Sequence, residues 1–361
     1  MKKSIAFITE FANLGGGETN LFHLAKELGG EAEVTVFCPA GALQKILSEN
    51  GIKVIGINRI HKGWIKGVPI LLYDKTLIEQ LLSFDVIHAY SLHVLPRLFW
   101  IRKRRPVVWT THGYWEKIYG LRSFVISRIV TKTIAVSNHT ALCLKPNLPQ
   151  CEVVPLGVPL SDIPDSAEQK NSRNTITLCC IGRFQKIKGQ DLLLEAAKIV
   201  ADENKNMSIE LILVGDAISG NREDLRFKRQ VYAAAEKLRT IENLKIVFEG
   251  FRQNTSDYYQ KSDFVVIPSQ YESFSMVAIE ALAHGKCVVA PNTGGPKDIV
   301  NSERVGVLFN PGDVQSLSGA ITKMIVYCRS CVPSDCIARA NDFSIQVQAR
   351  RHLKIYKELI G

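Results

Sequence analysis

The chain has 361 residues, of which 46% are hydrophobic and 22% charged, and a net charge of +10. That apolar content excludes a disordered polymer, and the length suits two domains of ordinary size. No apolar run approaches the roughly 18 residues needed to span a bilayer, and nine cysteines, an odd number with several in apolar runs, point to reduced thiols in the cytoplasm rather than a disulfide framework.

Met1-Lys2-Lys3 begins like a secretory leader, but the apolar run at residues 5–8 breaks at Thr9-Glu10 with no small-residue cleavage site, so it reads as a first strand. A Gly-rich turn at residues 13–18 follows, then a helix to residue 28. Strand, Gly-rich turn and helix bring backbone close to a ligand and aim a helix N-terminus at it. The turn is not a G-x-G-x-x-G fingerprint, and no acid closes the next strand, at residues 33–37, in the ribose-binding position. Further strands are expected at residues 53–57, 85–90, 107–113, 132–136 and 153–156, with a helix around 73–83 and an irregular loop at 62–69 that carries Trp64. His88 and His112 fall at strand ends, where open α/β sheets bind ligands. A basic cluster, Arg97, Arg102, Lys103, Arg104 and Arg105, lies beside Phe99 and Trp100. It suits an anionic membrane surface or a phosphorylated substrate, and equally a solvated helix end before a strand.

Residues 161–174 are polar and without apolar period, and read as a linker. A strand at 175–180 then runs into Gly182-Arg183-Phe184-Gln185-Lys186-Ile187-Lys188-Gly189 and a helix at 191–200. Three cations in six positions between two glycines aim at an anion, and a guanidinium fork with an ammonium suits a diphosphate. Strands at 209–214 and 245–249 bracket an amphipathic helix at 222–238, and a short helix at 257–262 precedes the strand 264–267. A polar turn with Glu272 leads into a helix at about 275–284 that contains Glu280. Stacking of positions three, four and seven apart lets both carboxylates serve one ligand at the strand end. The helix N–H groups from Phe274 to Met276 suit an anion there. Strands at 287–290 and 306–309 and a terminal helix at 345–360 complete the pattern. The rhythm is that of doubly wound parallel sheets. Cys328, Cys331 and Cys336 cluster but lack a fourth metal ligand, so they read as ordinary thiols.

The ordered set of Gly16, Gly17 and Glu18, Gly182-Arg183-x4-Lys188-Gly189, Glu272-x7-Glu280 and Gly294-Gly295 resembles the retaining, nucleotide-sugar-dependent glycosyltransferases of the GT-B fold, family GT4 (glycosyl transferases group 1). The resemblance runs from Gly15 to the terminal helix. It implies an α/β chain of two Rossmann-like domains facing a cleft: residues 1–160 on the acceptor side, 161–341 for the nucleotide sugar, and a helix at 342–361 crossing back to the first. It implies a sugar moved from a UDP-sugar, with GDP next, to a saccharide or lipid-linked saccharide in cell-surface glycan synthesis. Arg183 and Lys188 would stabilise the departing diphosphate, Glu272 would hold the donor sugar, Glu280 the ribose, and His112 would face the sugar. Gly16, Gly17, Gly215, Phe251, Arg252, Ser273, Phe274, Ser275 and Met276 would complete the donor site. Glu18, His88 and Trp64 would lie toward the acceptor. Thr19 stands where the family commonly has Arg, and the family's GFG after the first Glu is Ser273-Phe274-Ser275 here.

No Asp-x-Asp motif is placed to hold a diphosphate-bound metal, so neither metal nor cofactor is expected. The rival readings are a sugar-nucleotide epimerase of the same fold and a catalytically inactive sugar-nucleotide-binding protein. Nucleic acid is not an expected partner, because no recognition motif or basic helix accompanies the positive charge. A cytoplasmic protein is expected, with the inner membrane face as a candidate contact through the basic cluster.

Overall fold

Strands alternate with helices throughout the computed structural model, which describes residues 2–58, 63–65, 68–113, 120–144, 148, 150–160, 174–218 and 220–361. The chain divides into two compact units, Met1–Pro159 with Phe343–Gly361, and Leu160–Asp342. The expected linker lies, up to residue 173, outside the described residues, as do residues 62, 66 and 67 of the expected loop.

In unit 1 the chain runs β1 (Ser4–Ile8), α1 (Gly16–Leu28), β2 (Glu33–Cys38), α2 (Ala42–Glu49), β3 (Lys53–Gly56), β4 (Trp64–Ile65), β5 (Val68–Pro69), α3 (Lys75–Leu82) and β6 (Val86–Ala89). It continues with a 3-10 helix at Leu92–Trp100, β7 (Val107–Thr111), α4 (Gly120–Ile129), β8 (Lys132–Ala135), α5 (Asn138–Leu144) and β9 (Cys151–Val153). Seven strands form a parallel sheet in the order β3-β2-β1-β6-β7-β8-β9. The expected loop holds the small antiparallel pair β4-β5 instead. β1 is apolar on both faces because both are covered. Ile5 and Phe7 pack with α1 residues such as Leu21 and Leu24, while Ala6 and Ile8 pack with Leu81 and Leu95.

Unit 2 contains β10 (Thr175–Ile181), α6 (Gln190–Glu203), β11 (Ser208–Val214), α7 (Arg222–Lys237), β12 (Leu244–Gly250), α8 (Ser256–Lys261) and β13 (Phe264–Val266). Then come α9 (Met276–Ala283), β14 (Val288–Pro291), α10 (Pro296–Ile299), β15 (Gly306–Phe309), α11 (Val314–Tyr327) and α12 (Pro333–Asn341). Its six parallel strands are ordered β12-β11-β10-β13-β14-β15.

The last helix, α13 (Ile345–Ile360), belongs to unit 1 and is capped by Ser344. Gln348 on it is fully buried; its Oε1 accepts from the Gly157 amide (2.8 Å) and from Asn20 Nδ2 (2.9 Å). Ile345, Ala349, Ile355 and Tyr356 enter the same core as Ile5 and Phe7. The basic cluster sits where the 3-10 helix gives way to β7. Arg102 lies 3.5 Å over the Phe99 ring and donates to the Phe99 carbonyl, and Arg105 donates to the Leu82 carbonyl at 3.0 Å. Among the described residues no helix is long and apolar enough to cross a membrane.

Candidate functional site

In unit 2 two turns from distant parts of the chain are laced together at the ends of β10 and β13. The cationic turn leaves β10, makes a 3-10 turn at Lys186–Lys188 and enters α6 through Gly189, whose φ is +70°. A Cβ on Gly189 would lie 2.1 Å from the Pro268 carbonyl oxygen, so only glycine fits. The Gln270 amide donates to the Ile187 carbonyl (2.8 Å), and the side chain of the buried Gln190 donates to the Arg183 carbonyl (2.8 Å). Gly215, at the end of β11, backs the start of the turn: a Cβ there would come within 2.0 Å of the Gly182 carbonyl oxygen.

The three cations separate in role. Lys188 Nζ meets Glu272 Oε1 at 2.6 Å, with both side chains mostly shielded from water. Ser269 Oγ donates to the same Glu272 oxygen at 2.8 Å. Arg183 is exposed and forms no ion pair among the described residues. Lys186, expected to face the anion with the other two, is instead tied to Asp191 on the outer surface. The aspartate in the first turn of α6 captures it, an ordinary helix-start arrangement.

The second turn ends at Ser275, the N-cap of α9, whose Oγ accepts from the Ala278 amide at 3.4 Å. Ser275 is the one non-glycine among the described residues with positive φ, at +94°. It occupies the last position of Ser273-Phe274-Ser275, in a backbone shape that glycine would adopt without cost. Ser275→Gly is therefore expected to stabilise the chain by about 1 kcal/mol. Relief of roughly 1–2 kcal/mol of strain exceeds the few tenths lost with the cap. Urea unfolding reads this directly, and a midpoint at or below that of the wild type contradicts it.

Phe274 is buried, and Ser273 Oγ is buried without a hydrogen-bond partner. Gly294 and Gly295 cradle this turn from behind, their Cβ positions colliding with Glu272 and Phe274 backbone. Met276 opens α9 and is partly exposed. One turn further on, Glu280 Oε2 accepts from Tyr259 Oη at 2.6 Å, and burial raises the Glu280 pKa. Phe251 is 72% exposed beyond β12. Arg252 is committed locally, donating to Tyr258 Oη (2.9 Å) and Glu249 (3.0 Å).

Unit 1 gathers a second set at the ends of β1, β6 and β7. Gly16 and Gly17 form the first positions of α1 rather than a separate turn. The Gly17 Cα faces the His112 ring, which a Cβ would meet at 3.6 Å, and Tyr90 lies 4.9 Å from the same ring. His112 Nε2 is buried with no partner, and burial lowers its pKa to about 4, so the ring is neutral at physiological pH. Glu18, from the first turn of α1, acts electrostatically on Tyr90 and on Glu10.

Glu10 was not among the expected site residues. The clue available was its place just past the end of β1, where ligands bind in such sheets. Its Oε2 is buried without a partner, and burial, aided by the Glu18 charge, raises its pKa from 4.5 to about 8. The native chain therefore holds a proton that the unfolded chain has released. Stability from this group is fully present below pH 4.5 and is lost as pH rises through about 8. Glu10→Gln should exceed the wild type by about 1–2 kcal/mol at alkaline pH, after discounting for partial exposure, and match it near pH 4.5. Urea titrations at both pH values test this; an equal gain at both removes the argument.

The packing shows what two of the residues expected on the acceptor side do within the fold. His88 lies inside β6, fully buried, with Nδ1 2.6 Å from Tyr356 Oη and Nε2 2.7 Å from Thr110 Oγ1. Both ring nitrogens are occupied, one of them by Tyr356 of α13. Trp64 is buried and donates its indole N–H to the Leu92 carbonyl at 3.0 Å, so it pins the β4-β5 pair to the core.

Two family models match the chain: "Glycosyltransferase Family 4" over residues 14–162 and "Glycosyl transferases group 1" over residues 175–326. Among curated relatives, the D-inositol 3-phosphate glycosyltransferase of Paenarthrobacter aurescens is 25% identical over 65% of this chain and 58% of its own length. That of Corynebacterium jeikeium is 28% identical over 50% of this chain and 42% of its own length. The chain thus spans about half the length of these relatives. Among solved structures, Anabaena Alr3699/HepE in complex with UDP superposes with a TM-score of 0.82 at 21% identity, covering 99% of this chain and 100% of that one. A glycosyltransferase from Rickettsia africae gives 0.81 at 21% identity, covering 99% of both chains.

Proposed function

Because the chain belongs to the group 1 glycosyltransferases, family GT4, with two parallel-sheet domains of the GT-B fold, we propose that it transfers a sugar from a nucleoside diphosphate sugar to a saccharide or lipid-linked saccharide, with retention at the anomeric carbon. The observation that carries this reading is the Lys188–Glu272 pair, held at 2.6 Å between the cationic turn and the turn that caps α9. It sets an ammonium, a carboxylate and a helix N-terminus side by side in unit 2, the groups that a sugar diphosphate presents complements to.

In this reading the diphosphate lies against Arg183, Lys188 and the first N–H groups of α9. Lys188 is held in place beforehand by Glu272, and the two cations neutralise the charge that grows on the leaving phosphate oxygen. Arg183, which has no ion pair among the described residues, is available for bidentate contact with phosphate. Glu272 is assigned to donor sugar hydroxyls and Glu280 to ribose hydroxyls; Tyr259 orients the latter. The bond from the anomeric carbon to the diphosphate oxygen breaks while the acceptor oxygen bonds to the same face of that carbon. The acceptor proton passes to the departing phosphate.

UDP is the first nucleotide to test, since the HepE structures hold UDP and UDP-glucose. A thermal-shift series with UDP-, GDP-, ADP- and CDP-sugars is expected to raise Tm by about 2–5 °C for one nucleotide class, UDP foremost. No shift with any of the four, at millimolar concentration, removes the reading.

A further inference from the structure

Three cysteines of unit 2 meet at one buried point, where Cys287 joins Cys331 and Cys336 from 49 residues before the latter. Cys287 stands just before β14, Cys331 follows α11, and Cys336 lies on α12. All three are buried, with exposures of 1%, 9% and 0%. Cys336 Sγ is 3.7 Å from Cys287 Sγ and 3.8 Å from Cys331 Sγ, and all three sulfurs fall within 4.8 Å of one another. The Arg304 carbonyl oxygen, from the turn before β15, lies 3.6 Å from Cys287 Sγ and 3.9 Å from Cys336 Sγ. Cys328, which the sequence grouped with Cys331 and Cys336, turns away to the Ile325 carbonyl at 3.4 Å.

These separations have a geometric meaning. Zinc bonds thiolate sulfur at about 2.3 Å and oxygen at about 2.0–2.2 Å, and its structural sites are tetrahedral. The corners of such a tetrahedron are then about 3.8 Å apart between sulfurs and about 3.5 Å apart between sulfur and oxygen. The two sulfur edges and the shorter sulfur–oxygen edge given above match those lengths.

We propose that Cys287, Cys331 and Cys336, with the Arg304 carbonyl, form a structural site for a thiophilic divalent cation, zinc in the first place. Binding replaces the three thiol protons by one metal ion; the protons pass to solvent and no oxidant is involved. The ion would staple α12 and the turn before β15 to the start of β14. α12 packs against α9, so the staple lies behind the helix that carries Glu280 and takes no part in sugar transfer.

The test uses the full chain, purified under reducing conditions. Metal analysis after incubation with zinc and gel filtration is expected to show about one zinc per chain, and removal by chelator to lower Tm by roughly 5 °C. Cobalt loading should give thiolate-to-cobalt charge-transfer absorption and the intense visible bands of a tetrahedral site. Cys287→Ser and Cys336→Ser should each abolish these signals, while Cys143→Ser and Cys328→Ser keep them. The wild-type cobalt spectrum decides the matter even where a buried serine variant fails to fold. Substoichiometric zinc with no charge-transfer band overturns the proposal. So does metal that survives Cys287→Ser, or a mass two units light that maps to a Cys331–Cys336 or Cys287–Cys336 disulfide.

Discussion

Lys188→Ala is expected to lower kcat/KM by about 10²–10³-fold while leaving Tm within roughly 3 °C of the wild type. The size follows from what the ammonium does at each stage. In the resting chain it is one half of a partly shielded ion pair, and its partner Glu272 keeps a second donor in Ser269 Oγ, so its loss does not strand a bare carboxylate. In the transfer step, charge develops on a phosphate oxygen, and removing one preorganised donor from such a position typically costs several kcal/mol of transition-state stabilisation. Lys186→Ala supplies the contrast. It carries the same charge two residues away, but its ammonium is paired with Asp191 on the surface, and its substitution should leave turnover within about threefold. If Lys188→Ala retains activity within tenfold of the wild type, or Lys186→Ala loses as much, the cationic turn does not hold the diphosphate in the manner proposed.

The contrast between these lysines marks where the sequence stops being informative. Spacing shows three cations between two glycines; it does not show that the first aspartate of α6 removes one of them. The strands were legible because both faces of each sheet are covered, leaving long apolar runs such as residues 5–8 and 264–267. The 3-10 helix at Leu92–Trp100 was not, since Pro96 sits inside it and its buried residues follow no regular helical period. α4 also escaped notice: only Ser123, Ile126 and Ile129 of its ten residues are buried. His88 shows the limit of the strand-end rule. A position one residue from the end of β6 is far enough inside for its side chain to be enclosed, and the enclosing residue, Tyr356, comes from the last helix of the chain. The same blindness to long-range contact hid the thiol cluster, because Cys287 reads as one more apolar residue at the head of a strand until the fold brings Cys336 to it.

What the sequence marked as a pair of glycines proves to be a shaping element of the turn that carries Glu272, and Gly294→Ala should show the largest loss of stability among the single substitutions considered. Gly294 has a φ of +64°, and a Cβ there would sit 1.7 Å from the Glu272 carbonyl oxygen. That oxygen accepts from the Gly295 amide at 3.0 Å, so the backbone cannot move aside without breaking the link between the two turns. The left-handed backbone alone costs an alanine about 1 kcal/mol, and the displaced carbonyl adds roughly 2 kcal/mol or more. Gly312→Ala separates these contributions. Its φ is +77° but no atom lies within 4 Å of the added carbon, so only the backbone cost of about 1 kcal/mol applies. Urea unfolding of the two variants should differ by about 2 kcal/mol, and a donor-induced thermal shift should vanish in Gly294→Ala yet persist in Gly312→Ala. Equal destabilisation, or a full donor shift in Gly294→Ala, would mean that the carboxylate of Glu272 keeps its aim when its own backbone is pushed, and the pairing with Lys188 would no longer explain how the sugar diphosphate is held.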